Sequence, residues 1–411
     1  MGINIRNTPY RASGFILGGG ELSRGAVFVT DAQMRSSLAV IRSLGKQGLE
    51  VTAGEETRCA TGAFSRYCSH RQVYPSPVRE EEKFVRHLLA LLRAKEYDAI
   101  FPVADACLKP IIDHEEEISR YTRIALPSRD IFMKGYDKGT TLRIALENAI
   151  PSPKTFFPES TAEIVEIAGE IGYPAVIKPR VSSGRRGVRV CNGPEDLLRA
   201  YDAIVTEFGR VVVQEFIPGG GELGVYTLLN NRSEPRAVTV QKRLRSYPIS
   251  GGASTLRETI KDESSREAAT IALRLLKVMG WSGVAMVEFR IDARDGSLKL
   301  MEVNPRFWGS LHLSILSGVD FPHLLYRMIM DGDIEPVADY QEGVQCRWLL
   351  PGDILWYLSA PKTWQNLREF LRFGTPDDIL SLHDPGPTMG FMLATARYAL
   401  DPGMWRFVLR R

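Results

Sequence analysis

The chain is poor in residues that staple or chelate. Its five cysteines (Cys59, Cys68, Cys107, Cys191, Cys346) are odd in number and widely scattered, with no Cys-x-x-Cys pair. That argues against a disulfide framework or a zinc site and for reduced thiols. Six histidines are dispersed as well; His312 and His323 lie near an acidic stretch but at no metal-ligand spacing, so each reads as a core or surface histidine. There is no GxxxxGK[ST] phosphate loop, no GxSxG elbow and no HExxH. Gly18-Gly-Gly20 precedes the first strand pattern, the wrong place for a dinucleotide fingerprint. No apolar run approaches the roughly 20 residues of a membrane span. Phe15-Ile16-Leu17 is too short for a signal-peptide core. A formal charge of +3 leaves no footprint for a nucleic-acid partner. A cytoplasmic protein is expected.

What is present is ample apolar material, 44% of 411 residues, which is more than one core can use. Cores stop growing near roughly 250–300 residues, so two or three domains are expected. Residues 1–24 read as a flexible lead-in. Gly25-Ala-Val-Phe-Val-Thr30 is a buried-strand pattern; a helical pattern through Met34, Leu38, Ile41 and Leu44 follows, then a strand near 50–53. That strand–helix–strand unit implies a parallel sheet with right-handed crossovers, a Rossmann-like domain over about 25–127. Asp105, just past the apolar strand 98–103, stands where open α/β sheets contact ligands, and reads equally as a helix N-cap. From 128 to 332 helix and strand patterns alternate, beginning with a helix over 130–148 and later including antiparallel strands from 222 to 239. The expected fold class is therefore α/β and α+β, with a mostly helical extension over 333–411. In that extension Trp348, Leu349, Leu350, Ile354, Leu355, Trp356 and Leu358 form an apolar cluster, and Trp364, Leu367, Phe370 and Leu371 have helical spacing. It reads as a helical cap, or as a dimer or docking surface.

The sharpest chemical signal is a pair of apolar strands carrying acids. Val284-Ala-Met-Val-Glu288-Phe-Arg-Ile-Asp292 and Leu298-Lys-Leu-Met-Glu302-Val-Asn304-Pro305-Arg306 are joined by a turn at Asp295-Gly296. Glutamates flanked by Met286, Val287, Met301 and Val303 are costly to bury without a cation. Glu302 and Asn304 share a strand face, and the three side chains offer only oxygen ligands, which suits Mg²⁺ on nucleotide phosphates. The competing reading is a solvated hairpin face. Arg306 beyond them has the fork for a phosphate or carboxylate, or is a surface arginine. Lys178, ending the apolar strand 175–178, precedes a small-residue loop containing Ser183 and Gly184, interrupted by Arg185 and Arg186. This is a phosphate clamp, or a hairpin turn with a snorkelling lysine. Val211-Val-Val-Gln214-Glu215-Phe216-Ile217 breaks into Pro218-Gly-Gly-Gly-Glu222. That is a hinge able to read an adenine edge, with Glu222 placed for ribose hydroxyls, or only a loop between strands.

In order and spacing these segments resemble the ATP-grasp superfamily, over about residues 25–330. The resemblance implies a Rossmann-like domain followed by a two-part ATP-grasp fold, with a lid over about 154–214. It implies that Lys138 and Lys178 contact nucleotide phosphates beside Ser183 and Gly184. Gln214, Glu215, Phe216 and Ile217 would form the adenine hinge, and Glu222 would be the ribose carboxylate. Glu288, Glu302 and Asn304 would be the magnesium ligands, with Mn²⁺ as a substitute, and Arg306 and Lys178 the groups at the transferred phosphate. The run Lys242-Arg243-Leu-Arg245, followed by Ser250-Gly251-Gly252, is similar to a substrate-side loop of carboxylate–amine ligases, or is a solvated basic loop. The implied activity is ADP-forming, with ATP activating a carboxylate as an acyl phosphate that an amine attacks. Its alternatives are bicarbonate phosphorylation, as in biotin carboxylases or carbamoyl-phosphate synthases, and a nucleotide-binding regulatory module without catalysis. The expected partners are a small carboxylate and an amine, with a homodimer as a further possibility and neither nucleic acid nor a membrane span.

Overall fold

A computed structural model describes residues 25–249, 251–372 and 374–400. The expected lead-in 1–24 and Ser250 of the substrate-side loop lie outside the described residues. The chain divides into two compact units, one of residues 1–129, 322–334 and 380–411, the other of 130–321 and 335–379.

In the first unit a parallel sheet of five strands has the order β3-β2-β1-β4-β5: β1 Ala26–Val29, β2 Glu50–Glu55, β3 His70–Val73, β4 Ala99–Phe101 and β5 Arg123–Ile124. Val27 faces Val51 on one side and Ala99 on the other, and all three are buried. A strand apolar on both faces is what helices packed above and below require. Order reverses at the β1/β4 boundary, and there the sequence reading missed a buried carboxylate. Asp31, in left-handed backbone (φ 57°), accepts from the amide of Ala104 at 3.0 Å, and its own amide donates to the Tyr74 hydroxyl. Burial raises its pKa against the opposing hydrogen bonds from Thr30 and the local amides. Asp105 is not the cap of the helix Asp105–Asp113; Ala104 holds that position, and Asp105 lies in the first turn, favourable to the helix dipole.

The second unit holds two sheets. A four-stranded one has the order β6-β9-β7-β8, from β6 Thr155–Phe156, β7 Ala175–Pro179, β8 Arg189–Cys191 and β9 Val211–Glu215. A six-stranded antiparallel one has the order β14-β13-β10-β11-β12-β15, from β10 Gly219–Leu229, β11 Pro235–Tyr247, β12 Ala253–Thr259, β13 Gly283–Asp292, β14 Leu298–Asn304 and β15 Gln345–Arg347. One face of the larger sheet packs Leu223, Val225, Val287, Phe289, Leu300 and Val303 against the helix Glu263–Met279 and Trp281. Alternation then sends Glu222, Gly224, Glu288 and Glu302 to the other face.

Two expectations are corrected. The helix read over 130–148 is two, Arg129–Tyr136 and Lys138–Glu147, broken at Asp137, whose carboxylate accepts from the amides of Gly139 and Thr140. The local cap competes successfully with helix continuation through a glycine-rich stretch. The region from 333 onward is not a helical body of its own. Residues 345–347 are a sheet-edge strand, and residues beyond 379 belong to the first unit, where the helix Gly386–Ala399 packs on Phe64 and buried Asp384 accepts from Arg42 at 2.9 Å. Trp356 of the expected apolar cluster is buried, but Leu358 and Trp364 are exposed.

Candidate active site

The hairpin at Gly296, whose φ of 76° suits the turn, sets Glu288 directly opposite Glu302 and Met286 opposite Asn304. Asn304 Nδ2 donates to Glu302 Oε1 at 3.1 Å, so amide and carboxylates meet on the polar sheet face. Glu288 faces Gly224 on β10, where a side chain would collide with the Tyr226 hydroxyl at 2.5 Å. The glycine keeps the space over Glu288 open, and Tyr226, tilted against Trp308 with ring centroids 4.4 Å apart and bonded to Ser310, walls it.

Chain cations close on these acids. Lys138, first residue of its helix, places Nζ 3.4 Å from Glu302 Oε2 and donates to the carbonyl of Ser182 at 2.5 Å. Lys178, from β7, is buried and donates to the carbonyl of Met301 at 3.2 Å. Burial lowers its pKa to about 8, Lys138 adds to the effect, and Glu302 and Glu288 oppose it. Glu288 is pushed up by burial and by Glu302 and Glu222, against the pull of Arg243. Burial also works to raise Glu302, but Lys138 and Lys178 prevail and hold it low. The two adjoining carboxylates have their pKa values pushed apart by their surroundings. An oxygen-only donor set with phosphate-directed lysines beside it fits a magnesium–nucleotide complex.

Arg243 bridges Glu222 and Glu288, its Nη2 lying 3.5 Å from Glu288 Oε2, while Arg290 holds the other oxygen of Glu222 at 3.1 Å. Arg306 Nη2 donates to Asn304 Oδ1 at 3.4 Å. These residues converge with Lys138, Lys178, Glu288 and Glu302. The hinge runs beside them: the amide of Phe216 donates to the carbonyl of Pro174, and the carbonyl of Ile217 accepts from Arg290 at 3.2 Å. The Glu215 side chain is held by the Lys154 amide and Arg294, and Gln214 donates to Thr155, so both side chains serve the hinge's own structure. Ser183 and Gly184 sit in the turn after β7, and Arg185 of that turn reaches the carbonyl of Gly251, while Gly252 accepts from Arg243 at 3.0 Å.

Lys242 and Arg245 do not join the cluster. Lys242 lies 3.7 Å from Glu258 and is half-buried; Arg245 is buried, ion-paired to Asp353 at 3.3 Å and stacked on Trp356 at 4.3 Å. A strand alternates its faces, and β11 is bulged at this point, which separates three basic residues that look continuous in sequence. Sequence reasoning also missed Arg180, whose guanidinium grips Asp137 at 2.9 and 2.7 Å and fixes β7 to the helix bearing Lys138. A Cβ on Gly139 would lie 2.3 Å from Arg180 Nε, so Asp-x-Gly after Tyr136 was the available signal. His312, Cys346 and Asp378 also come within 4.8 Å of one another. Arg257 donates to Asp378 and lies 3.5 Å from the Cys346 sulfur, so a guanidinium already supplies the cation there.

Known proteins resemble this chain in sequence and in fold. Residues 137–321 match the family model for the carbamoyl-phosphate synthase L chain, ATP binding domain. The chain is 25% identical over 367 residues to a formate-dependent phosphoribosylglycinamide formyltransferase of Prochlorococcus marinus (strain MIT 9313), covering 86% of this chain and 91% of that one. Among solved structures, the biotin carboxylase domain of Hydrogenobacter thermophilus 2-oxoglutarate carboxylase, in complex with MgADP, ADP and bicarbonate, superposes with a TM-score of 0.64 at 17% identity, over 78% of this chain and 73% of that one. An L-amino acid ligase from Bacillus licheniformis gives 0.60 at 18% identity, over 76% and 78%.

Proposed function

We propose that this protein is an ATP-grasp ligase, dependent on ATP and magnesium, that phosphorylates a small carboxylate and joins it to an amine, releasing ADP and phosphate. The observation that carries the reading is the cross-strand pair Glu288–Glu302 with Asn304, ringed by Lys138 and Lys178. Glu288, Glu302 and Asn304 would hold magnesium, or manganese in its place, and the ion supplies charge neutralisation on the phosphates. Lys138 and Lys178 bind phosphate oxygens with Ser183 and Gly184; residues 214–217 receive the adenine and Glu222 the ribose. Arg306 steadies the transferred phosphoryl group. The residues about 154–214 close as a lid that keeps water from the acyl phosphate, in which the attacking carboxylate oxygen has replaced ADP on the γ-phosphorus. The amine then attacks the acyl carbon, phosphate leaves, and the nitrogen loses its proton. Gly251 and Gly252 border the carboxylate.

A formate-dependent relative supports a small acid as the first substrate, and bicarbonate is the second reading because one solved neighbour holds it. A homodimer is proposed on the same neighbour, described as a domain dimer. No described helix is long and apolar enough to cross a membrane, and a cytoplasmic location is proposed with it. The test is ADP and phosphate release over a panel of formate, bicarbonate and amino acids, each with and without amines, with product masses recorded. ADP release requiring both a carboxylate and an amine supports the ligase. Turnover with bicarbonate alone favours the second reading, and no turnover despite ATP binding overturns both.

A further inference from the structure

Arg243 has two carboxylate partners, and the proposed reaction claims both. Its Nη1 binds Glu222 and the carbonyl of Gly252, and its Nη2 lies 3.5 Å from Glu288. Its side chain and both carboxylate side chains are each only about one-fifth exposed, so this is a sheltered cluster that still opens to solvent. Burial works against the guanidinium charge, yet Glu288 and Glu222 keep its pKa above the ordinary arginine value. The other charged neighbours are already engaged: Arg290 on Glu222, Lys138 on Glu302, Arg257 on Asp378, and Arg306 on Asn304.

We propose that Arg243 receives the anionic group of the carboxylate substrate, and that Glu222 and Glu288 withhold it until nucleotide and cation have engaged those two carboxylates. This rests on the ligase reading above. Once Glu222 turns to ribose hydroxyls and Glu288 to a divalent cation, a sheltered guanidinium is left without a counter-ion. That is an expensive state, and a planar carboxylate is the matching replacement. Binding is therefore ordered, nucleotide before carboxylate. Linkage makes the coupling reciprocal, so the carboxylate tightens the nucleotide complex by the same factor. A lysine here could not span Glu222 and Glu288 together. Arg243 also explains why free divalent cation should bind poorly alone: Glu288 carries a resident positive charge.

The test uses the full chain and three probes: Mn²⁺ alone followed by electron paramagnetic resonance, Mg·ADP followed by calorimetry, and acetate as a minimal carboxylate. In the wild type, acetate is expected to tighten Mg·ADP on the order of tenfold, and Mn²⁺ alone to bind weakly. Arg243→Gln should bind Mn²⁺ alone on the order of tenfold tighter and lose the acetate effect. Arg243→Lys, which keeps the charge but only one contact, should fall between them. Melting temperature and Mg·ADP binding establish that each variant is folded. Unchanged Mn²⁺ affinity in Arg243→Gln, or acetate coupling that survives there or is absent from the wild type, overturns the proposal. If wild-type protein fails to bind Mg·ADP at all, the nucleotide reading itself has failed; if it binds and only the Arg243 results go against expectation, this inference falls alone.

Discussion

Lys138 Nζ stands 3.4 Å from Oε2 of Glu302, a contact between the first residue of a helix and the middle of a strand 164 positions later. The pair sets a lysine against a carboxylate; on the proposed reading the lysine binds phosphate and the carboxylate metal, so nucleotide binding would exchange one electrostatic partner for another at both ends.

Glu302→Gln should therefore keep the fold and lose the reaction. Removing a preorganised charge from a phosphoryl-transfer site typically costs about 10²–10³-fold in kcat. ADP release should fall by at least that much while the melting temperature shifts by a few degrees. Full ADP formation would sink the assignment of the metal site.

Nucleotide affinity should weaken as pH rises through about 8. Lys178 is the group concerned: burial has lowered its pKa to about 8, so its positive charge is present below that pH and lost above it. The groups facing it are Lys138, Glu302 and Glu288. Titration of Mg·ADP from pH 6.5 to 9.5 should show the loss in the wild type and a flat, weaker profile in Lys178→Gln. A flat profile in the wild type would contradict the phosphate role.

Asp137→Ala removes a helix cap and leaves Arg180 without its bidentate partner. A cap contributes about 0.5–2 kcal/mol, and loss of one member of a sheltered ion pair adds to it, so urea unfolding should show a loss of about 2–4 kcal/mol. Because the cap positions Lys138, the KM for ATP should rise in the same variant, whereas a purely structural effect would leave it unchanged in the folded fraction.

Asp384→Ala reports on the C-terminal segment. Asp384 accepts from Arg42 at 2.9 Å, from the Ser65 hydroxyl at 2.7 Å and from the Arg66 amide at 2.8 Å, with both charged side chains buried. Removing the carboxylate that neutralises Arg42, whose Nη2 still donates to the backbone carbonyl at 384, should cost about 3–5 kcal/mol in the first unit, seen by calorimetry. A loss under 1 kcal/mol would show that the segment from 380 does not hold there.

Most of the elements were legible because their signals are local. Glu288, Glu302 and Asn304 announce themselves through period-2 alternation and an Asp-Gly turn, and direct pairing of the glutamates follows from a short hairpin. Lys242, Arg243 and Arg245 were legible as basic and not as different: one faces solvent, one the acids, one a buried aspartate, because a bulge in β11 redistributes them. Asp137 hid inside a helical pattern, since nothing in the sequence says that Arg180 will arrive 43 residues later to hold the cap's second oxygen.

The sequence by itself determined the alternation of faces, and with it an apolar side that must pack and an acidic side that must find cations. Only the tertiary structure decided which cations those are, and where residues 333–400 go. Alternation is a property of neighbours along one strand and is written in consecutive residues. Ion pairing and edge-strand addition join segments hundreds of positions apart, so they depend on burial and register that no local pattern contains.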